Sequence, residues 1–365
     1  MSILFSPLTV GPVTLPNRIV VSPMCQYSAQ DGCASDWHMQ HLMTLAMSGA
    51  GLVTLEATAV TRDGRISHGD LGLYSDDCEA ALGRVMAAAR RVAPQGTLFA
   101  LQLGHAGRKA SAHAPWTGGG PLGAAEDPWP TVAPSGLPFG EAWPTPAQLD
   151  EDGLARLRDA FVAATVRAVR LGFEVIDLHL AHGYLLHQFC SPLTNRRDDA
   201  WGGDAARRMA YPLSVVRAIR AAMPPDRLLT ARITGSDWMD GGLGPDDAVA
   251  LTRALQAEGV GMVCVTTGGV VGTARIPVAP GYQLPHAAAV RQATGLPTQA
   301  VGLIRTAEEA EAILAAGQAD AVALARAFLD DPRWPWQAAR ALGATVAVPP
   351  QYARGAAPNW KGRGA

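Results

Sequence analysis

The sequence predicts a (β/α)8 barrel, and three observations carry that expectation. Eight short apolar runs recur along the chain, a helical pattern follows each, and reactive side chains gather just past the ends of the runs. The runs are 19–22, 52–56, 98–103, 175–179, 228–233, 262–266, 298–302 and 321–325. The helical patterns are 37–48, 76–92, 150–171, 205–223, 245–258, 285–294, 306–316 and 332–342. A doubly wound sheet is the alternative, but its first strand should run into a Gly-x-Gly-x-x-Gly turn. Here it runs into Ser22-Pro23-Met24-Cys25.

The third helix places Leu154, Leu157, Phe161, Thr165 and Ala168 on one face. Thr306-Ala307-Glu308-Glu309 has the spacing of a capping box and opens the seventh. Two stretches exceed ordinary loop length, 112–148 after the third strand and 185–204 after the fourth. Loops that long in a compact barrel are more often lids or binding elements than spacers, so both are expected over the same mouth. The expected organisation is one barrel over 1–350 and a tail over 351–365.

At 365 residues, with 48% apolar and 17% charged residues, the chain can bury a sizeable core. A net charge of −2 supplies no footprint for nucleic acid or an anionic membrane. Five scattered cysteines with no C-x-x-C pair argue against a zinc site, an iron–sulfur cluster or a disulfide framework. The amino terminus lacks the features of a signal peptide, and no apolar run is long enough to span a membrane. A cytoplasmic protein is expected. Lys109 and Lys361 are the only lysines, which narrows the room for Schiff-base chemistry.

Past the strand ends lie, in order, Cys25 and Tyr27; Glu56 and Ala57; Gln102 and His105; His179, His182 and Tyr184; Arg232; Thr266 to Gly269; Val301 and Gly302; Ala325 and Arg326. Ligands in parallel α/β proteins sit at these carboxyl ends. Two imidazoles and a phenol can hold an electron-withdrawing oxygen and deliver a proton; they can also be plain loop residues, or the histidines can bind a metal. Gly302 permits close backbone approach and Arg326 offers donors to a phosphate, unless the one is only a tight turn and the other a surface ion-pair partner. Gln102 and Arg232 suit the pyrimidine edge of a flavin, where Arg232 would stabilise negative charge near N1 of the reduced ring. The plainer alternative for Arg232 is a salt bridge to Asp237 or Glu56.

Seven motifs in order then carry a resemblance over essentially the whole chain. They are Ser22-Pro23-Met24-Cys25-Gln26-Tyr27, Glu56-Ala57, Gln102-Leu103-Gly104-His105-Ala106-Gly107-Arg108-Lys109, His179-Leu180-Ala181-His182-Gly183-Tyr184, Pro280-Gly281-Tyr282-Gln283, Ala300-Val301-Gly302-Leu303-Ile304 and Gln351-Tyr352-Ala353-Arg354. The chain resembles the old yellow enzyme family of FMN-dependent ene-reductases, in its bacterial xenobiotic-reductase branch with a cysteine near the flavin. The resemblance implies that Ser22, Pro23, Met24, Cys25, Ala57, Gln102, Arg232, Gly302, Ala325 and Arg326 bind FMN. It implies that His179 and His182 bind the substrate oxygen, that Tyr184 donates the proton, and that Tyr27 lines the substrate pocket. It further implies NADPH or NADH as reductant, activated alkenes such as cyclohexenone as substrates, and a ping-pong reaction. A homodimer or homotetramer is implied too, in which Arg354 reaches a neighbour's site.

Three positions depart from the family pattern. Ala325 stands where Gly often precedes the phosphate arginine, Trp201 where Tyr is usual, and Arg207 where Asn is common. Four rivals keep their place. A metallohydrolase would use His105, His179 and His182, and a class I aldolase would use Lys109. A flavin-binding protein would show little turnover. A multidomain dienoyl-CoA reductase would need a cysteine cluster and a second nucleotide domain. Within the family, a xenobiotic or nitro-ester reductase is the alternative.

Overall fold

The computed structural model describes residues 2–355. Eight parallel strands close into a barrel in chain order: β1 (Ile19–Val21), β2 (Leu52–Ala59), β3 (Leu98–Gly104), β4 (Val175–Leu180), β5 (Leu228–Thr234), β6 (Met262–Thr266), β7 (Thr298–Ala300) and β8 (Ala321–Leu324). Around them lie α1 (Asp36–Ala46), α2 (Asp76–Val92), α3 (Glu151–Arg170), α4 (Ala205–Ala222), α5 (Pro245–Ala257), α6 (Leu284–Thr294), α7 (Ala307–Ala315) and α8 (Trp334–Ala341). The expected barrel is therefore the observed one, and the strand and helix ends shift by only a few residues. β7 and β8 stop short of Gly302 and Ala325, which leaves those two residues in the loops of the mouth.

The helices dock as their apolar faces dictate. In α3 the buried set is Leu154, Leu157, Phe161, Ala164, Thr165 and Ala168, a 3.6-residue stripe against the barrel wall. At the start of α7 the Glu309 N–H donates to Thr306 Oγ1 at 3.1 Å, and the Thr306 N–H donates to Glu309 Oε2 at 3.2 Å.

Sequence reading missed an amino-terminal hairpin, Leu8–Val10 paired with Val13–Leu15. Its strands are three residues each, too short to show a period. Their alternate residues Leu8, Val10, Val13 and Leu15 pack with the inward-facing Val20, Leu52, Ala100, Val175, Leu228 and Met262. The hairpin thus plugs the amino-terminal end of the barrel and leaves the carboxyl end as the mouth. No helix among the described residues is long and apolar enough to cross a membrane.

Of the two long loops, 185–204 contains a short helix, Leu185–Cys190, that was not expected. The 112–148 loop carries a two-residue parallel ladder, Val132–Ala133 with Ala147–Gln148. Its Trp116 meets the Tyr27 ring edge-on at 5.3 Å, so the loop does lie over the mouth. Of the three departures, Trp201 serves this region through its side chain, while Arg207 contributes a backbone N–H that any residue but proline would supply. Trp201 donates through Nε1 to Glu151 at 2.6 Å, and the Arg207 N–H caps onto Asp204 at 2.9 Å.

Candidate active site

β4 delivers the central group. His179 is the fifth residue of this fully buried strand, and the chain then turns through His182 in the left-handed region at φ +57°. A histidine held there is strained, and the surrounding contacts maintain it. Gly183 follows at φ +74°, and a Cβ on it would collide with the backbone of Gly269 in the loop after β6. The Lys109 ammonium ties those two loops together. Its Nζ donates to the His182 carbonyl at 2.8 Å and to the Gly269 carbonyl at 3.1 Å, and sits 5.1 Å from the Tyr184 ring centroid.

Within this clamp His179 Nε2 and His182 Nδ1 face each other at 3.3 Å. The Tyr184 ring stands edge-on to His179 at 4.8 Å. Burial, then the Arg232 charge, hold both imidazoles well below their usual pKa, so both are neutral at pH 7. Burial, reinforced by Cys25, Tyr27 and Asp70, pushes the Tyr184 phenol well above 10 and keeps its proton on. The metal alternative lacks a third ligand. Among the described residues the one convergent set of His, Cys, Asp or Glu ligand atoms is Cys25, Glu56 and Asp70, not the histidines.

These neutral histidines predict an acid sensitivity. His41 and His105 are lowered to about 4 by burial, and His179 and His182 also lie well below 6.5. Below about pH 6.5 the unfolded chain takes up these four protons and the folded chain does not, so stability falls as pH falls. Asp70, raised to about 7 by burial, and the raised Asp177 act in the opposite direction, because folded carboxyls there hold protons that unfolded ones release. His286, also lowered by burial, adds to the four, so the imidazoles outnumber the two carboxyls. The Tm measured by calorimetry should drop between pH 7 and pH 5, and a flat profile would show the imidazoles to be charged in the fold.

Deeper in the mouth, β2 and β3 change register between Leu55 and Ala57, a bulge that sets Ala57 beside Gln102. Gln102 Nε2 donates to Asp177 Oδ2 at 2.8 Å, which turns the amide so that its Oε1 is its remaining polar face. Arg232, across from these, is buried, and its Nε has no hydrogen-bond partner. Neither salt bridge of the plainer alternative forms. Asp237 accepts from Ser191 Oγ at 2.7 Å and pairs with His187 at 2.9 Å, while Glu56 lies against His38 at 3.4 Å and accepts the Gln26 N–H at 2.9 Å.

A cavity of about 840 Å³ runs from His182 and Arg232, past Thr266 and Gln283, to Gly302 and Arg326. Gly302 has φ +120°, and a Cβ there would meet Gln283 Nε2 at 2.8 Å. Arg326 is exposed at the far end, with no carboxylate among the described residues within 4 Å, so the ion-pair alternative finds no partner. Ser22, Pro23, Met24 and Cys25 lie in the loop after β1. Burial raises the Cys25 thiol, with Asp70 and Glu56 adding to the shift, so it stays protonated. Tyr27, at φ +49°, faces the 112–148 loop.

Arg354 is in a different place. It lies exposed in a 3-10 turn, Pro350–Gly355, next to Tyr352, which packs on Trp336 and Arg333. A groove shared by 347–352 and 91–95 places this segment at the amino-terminal end of β3, opposite the mouth. The rest of the tail, 356–365, lies outside the described residues.

Sequence reading missed the roles of four residues. Lys109 was weighed only as an aldolase lysine and Asp237 only as a partner for Arg232, while Asp177 and Gln283 act through side chains that the fold alone brings near. Gln283 lay within a quoted motif, which was the available signal.

An unpartnered buried guanidinium, an amide turned by a carboxylate and a long cavity ending in an open arginine fit one kind of occupant. It has a polar heterocycle at one end and a phosphate at the other, as a flavin mononucleotide does. Fold and site together define a flavin-dependent oxidoreductase barrel. Residues 3–344 match the NADH:flavin oxidoreductase / NADH oxidase family. The chain is 41% identical to an NADPH dehydrogenase of Geobacillus thermodenitrificans over 97% of its length and 98% of that protein's. It is also 41% identical to an NADPH dehydrogenase of Listeria monocytogenes, over 97% and 99%. Among solved structures, morphinone reductase superposes with a TM-score of 0.77 at 27% identity, covering 96% of this chain and 92% of that one. A 2-naphthoyl-CoA reductase shares the fold, with a TM-score of 0.83 at 21% identity; this chain spans 52% of its length. The chain belongs to this flavin oxidoreductase family, the old yellow enzymes, and is an FMN-dependent enzyme oxidising NAD(P)H.

Proposed function

We propose that the enzyme reduces the C=C bond of α,β-unsaturated carbonyl or nitro compounds by a ping-pong reaction at one site. The observation that carries this reading is the facing pair of neutral imidazoles 3.3 Å apart, with a protonated phenol 4.8 Å from one of them. Bound FMN supplies the hydride chemistry, accepting one from NAD(P)H and delivering one to the alkene in separate half-reactions.

His179 and His182 donate to the carbonyl or nitro oxygen and stabilise the charge that builds there. Tyr184 gives its phenolic proton to Cα. Gln102, oriented by Asp177, and Arg232 would hold the polar edge of the flavin. The backbone of Ser22, Pro23, Met24 and Cys25 and of Ala57 would line the ring. Gly302, Ala325 and Arg326 would hold the phosphate. Tyr27 bounds the substrate space under Trp116. The protein is cytoplasmic in this reading, acts on small molecules, and combines a 1–350 barrel with a 351–365 tail.

The test is the absorption spectrum of the purified protein, then anaerobic titration with NADPH followed by cyclohexenone. Bleaching by the first and recovery with the second are expected, with parallel lines in two-substrate kinetics. Intersecting lines, or colour that cyclohexenone does not restore, would remove the ping-pong ene-reductase reading.

Cys25 tunes the ring rather than attacking it, since burial, with Asp70 and Glu56 adding to it, holds the thiol protonated. Cys25→Ser should shift the flavin potential and the substrate preference while turnover continues. Loss of all turnover with FMN retained would assign the thiol a direct chemical step.

Arg354 cannot serve its own mouth from the opposite end of the barrel. We place it in a neighbouring subunit's site, within a dimer or tetramer. A chain ending at Pro350 should bind FMN normally but show a raised KM for the alkene. Unchanged kinetics, or a fully active monomer in sedimentation, would end that assignment.

A further inference from the structure

Thr266 and Gln283 have no role in the reading above, yet they complete a hydrogen-bond chain that begins at the histidine pair. The Ala181 N–H donates to His179 Nδ1 at 3.3 Å, so the single proton of neutral His179 lies on Nε2. That Nε2–H points at His182 Nδ1, 3.3 Å away, which makes Nδ1 an acceptor and puts the proton of His182 on Nε2. His182 Nε2 meets Thr266 Oγ1 at 3.0 Å, and Thr266 Oγ1 donates to Gln283 Oε1 at 2.7 Å. Every link runs in one direction, from the Ala181 amide to the Gln283 carbonyl.

An acceptor oxygen seated between the imidazoles is incompatible with that direction. It needs a hydrogen from each ring, so His182 must carry its proton on Nδ1. Nε2 then becomes a half-buried acceptor, and the side chain among the described residues that faces it with a donor is Thr266, 3.0 Å away. We propose that Thr266 and Gln283 form a tautomer switch for His182: Thr266 donates to Gln283 in the free enzyme and turns to donate to His182 Nε2 when a substrate oxygen binds. One proton leaves Nε2 and one arrives at Nδ1 by exchange with solvent, so the net charge is unchanged. Gln283 tolerates the loss because Thr267 Oγ1 lies 3.2 Å from the same Oε1. Both residues are positioning residues. Thr266 closes β6 and Gln283 precedes α6, each buried, so the chain is held by rigid elements. Donation into Nε2 also polarises the Nδ1–H and strengthens its bond to the substrate oxygen.

This inference rests on the reading that His179 and His182 hold the acceptor's oxygen. The experiment uses the FMN-loaded enzyme and 4-hydroxybenzaldehyde, whose phenolate oxygen can only accept. Nitrogen-15 NMR of labelled histidine should show His182 protonated on Nε2 in the free enzyme and on Nδ1 in the complex. Thr266→Val keeps the shape and removes the hydroxyl, and should weaken phenol binding about tenfold or more. Thr266→Ser keeps the hydroxyl and removes a methyl, and should restore binding. A packing role would rank those two variants the other way. Gln283→Met should move the free enzyme toward the Nδ1–H form before any phenol is added. Phenol binding that is tight in wild type, weakened by His179→Ala, yet accompanied by no change of the His182 tautomer would overturn the switch and leave the site reading standing. Binding indifferent to His179→Ala would overturn both.

Discussion

Tyr184→Phe should slow reoxidation of the bound flavin by cyclohexenone by about 10²- to 10⁴-fold, the usual span for removing a positioned proton donor. Its reduction by NADPH should be nearly unchanged. The asymmetry follows from the phenol's place. Tyr184 lies against His179 at 4.8 Å, and burial keeps it protonated well beyond neutral pH. A strongly raised pKa makes the proton available but hard to release, and two cations offset that. Lys109 sits 5.1 Å from the ring centroid, and the Arg232 charge favours the anion left behind. Phenylalanine preserves the ring contacts and removes only the proton. Stopped-flow traces of the two half-reactions make the comparison directly. Equal loss in both would show that Tyr184 shapes the pocket rather than donating a proton.

Arg232→Met should have opposite effects on the apoprotein and the holoprotein. The guanidinium is buried, its Nε has no partner, and no carboxylate among the described residues pairs with it. The Asp177 carboxyl offsets this charge only from a distance, and burial raises that group's own pKa, so an apolar side chain of similar length should stabilise the apoprotein by about 1–4 kcal/mol. With FMN bound the sign should reverse, because Arg232 would offer a cation to the electron-rich ring. Losing a charged hydrogen bond worth about 1.5–3 kcal/mol lowers the two-electron potential by ~30–60 mV. It also weakens FMN binding, so the thermal gain on adding FMN shrinks. Calorimetry with and without FMN, together with a potential titration, reads both arms. A less stable apoprotein would mean that Arg232 is paired within the fold and is not held in reserve for the cofactor.

The two substitutions separate what a residue's identity conveys from what its surroundings add. The His179–Tyr184 segment was legible because it follows an apolar run, and the end of a buried parallel strand is where ligands sit. Arg232 was legible for the same reason, but its meaning was not. Sequence reading left a salt bridge to Asp237 or Glu56 open, and only the fold shows those carboxylates engaged with His187, Ser191 and His38. Gln102 could be placed at the mouth, yet which end of its amide faces inward depends on Asp177, one strand over.

By itself the sequence determined the barrel, its eight units, the α3 stripe and the α7 cap. These rest on local periods and on capping chemistry within a few residues, which a linear reading captures. It also determined the candidate set at the strand ends, because strand order alone assigns those positions to one mouth. Tertiary structure decided the rest. The hairpin plug is built from strands too short to show a period, and the bulge that brings Ala57 beside Gln102 is a mismatch between two strands. The Lys109 clamp joins residues 73 and 160 positions apart, and the Thr266–Gln283 link spans 17. The direction of a hydrogen-bond chain depends on which donor lies across from which acceptor. Those distances exist only once the barrel has closed, because closure is what brings separated strands within 3 Å of one another's side chains.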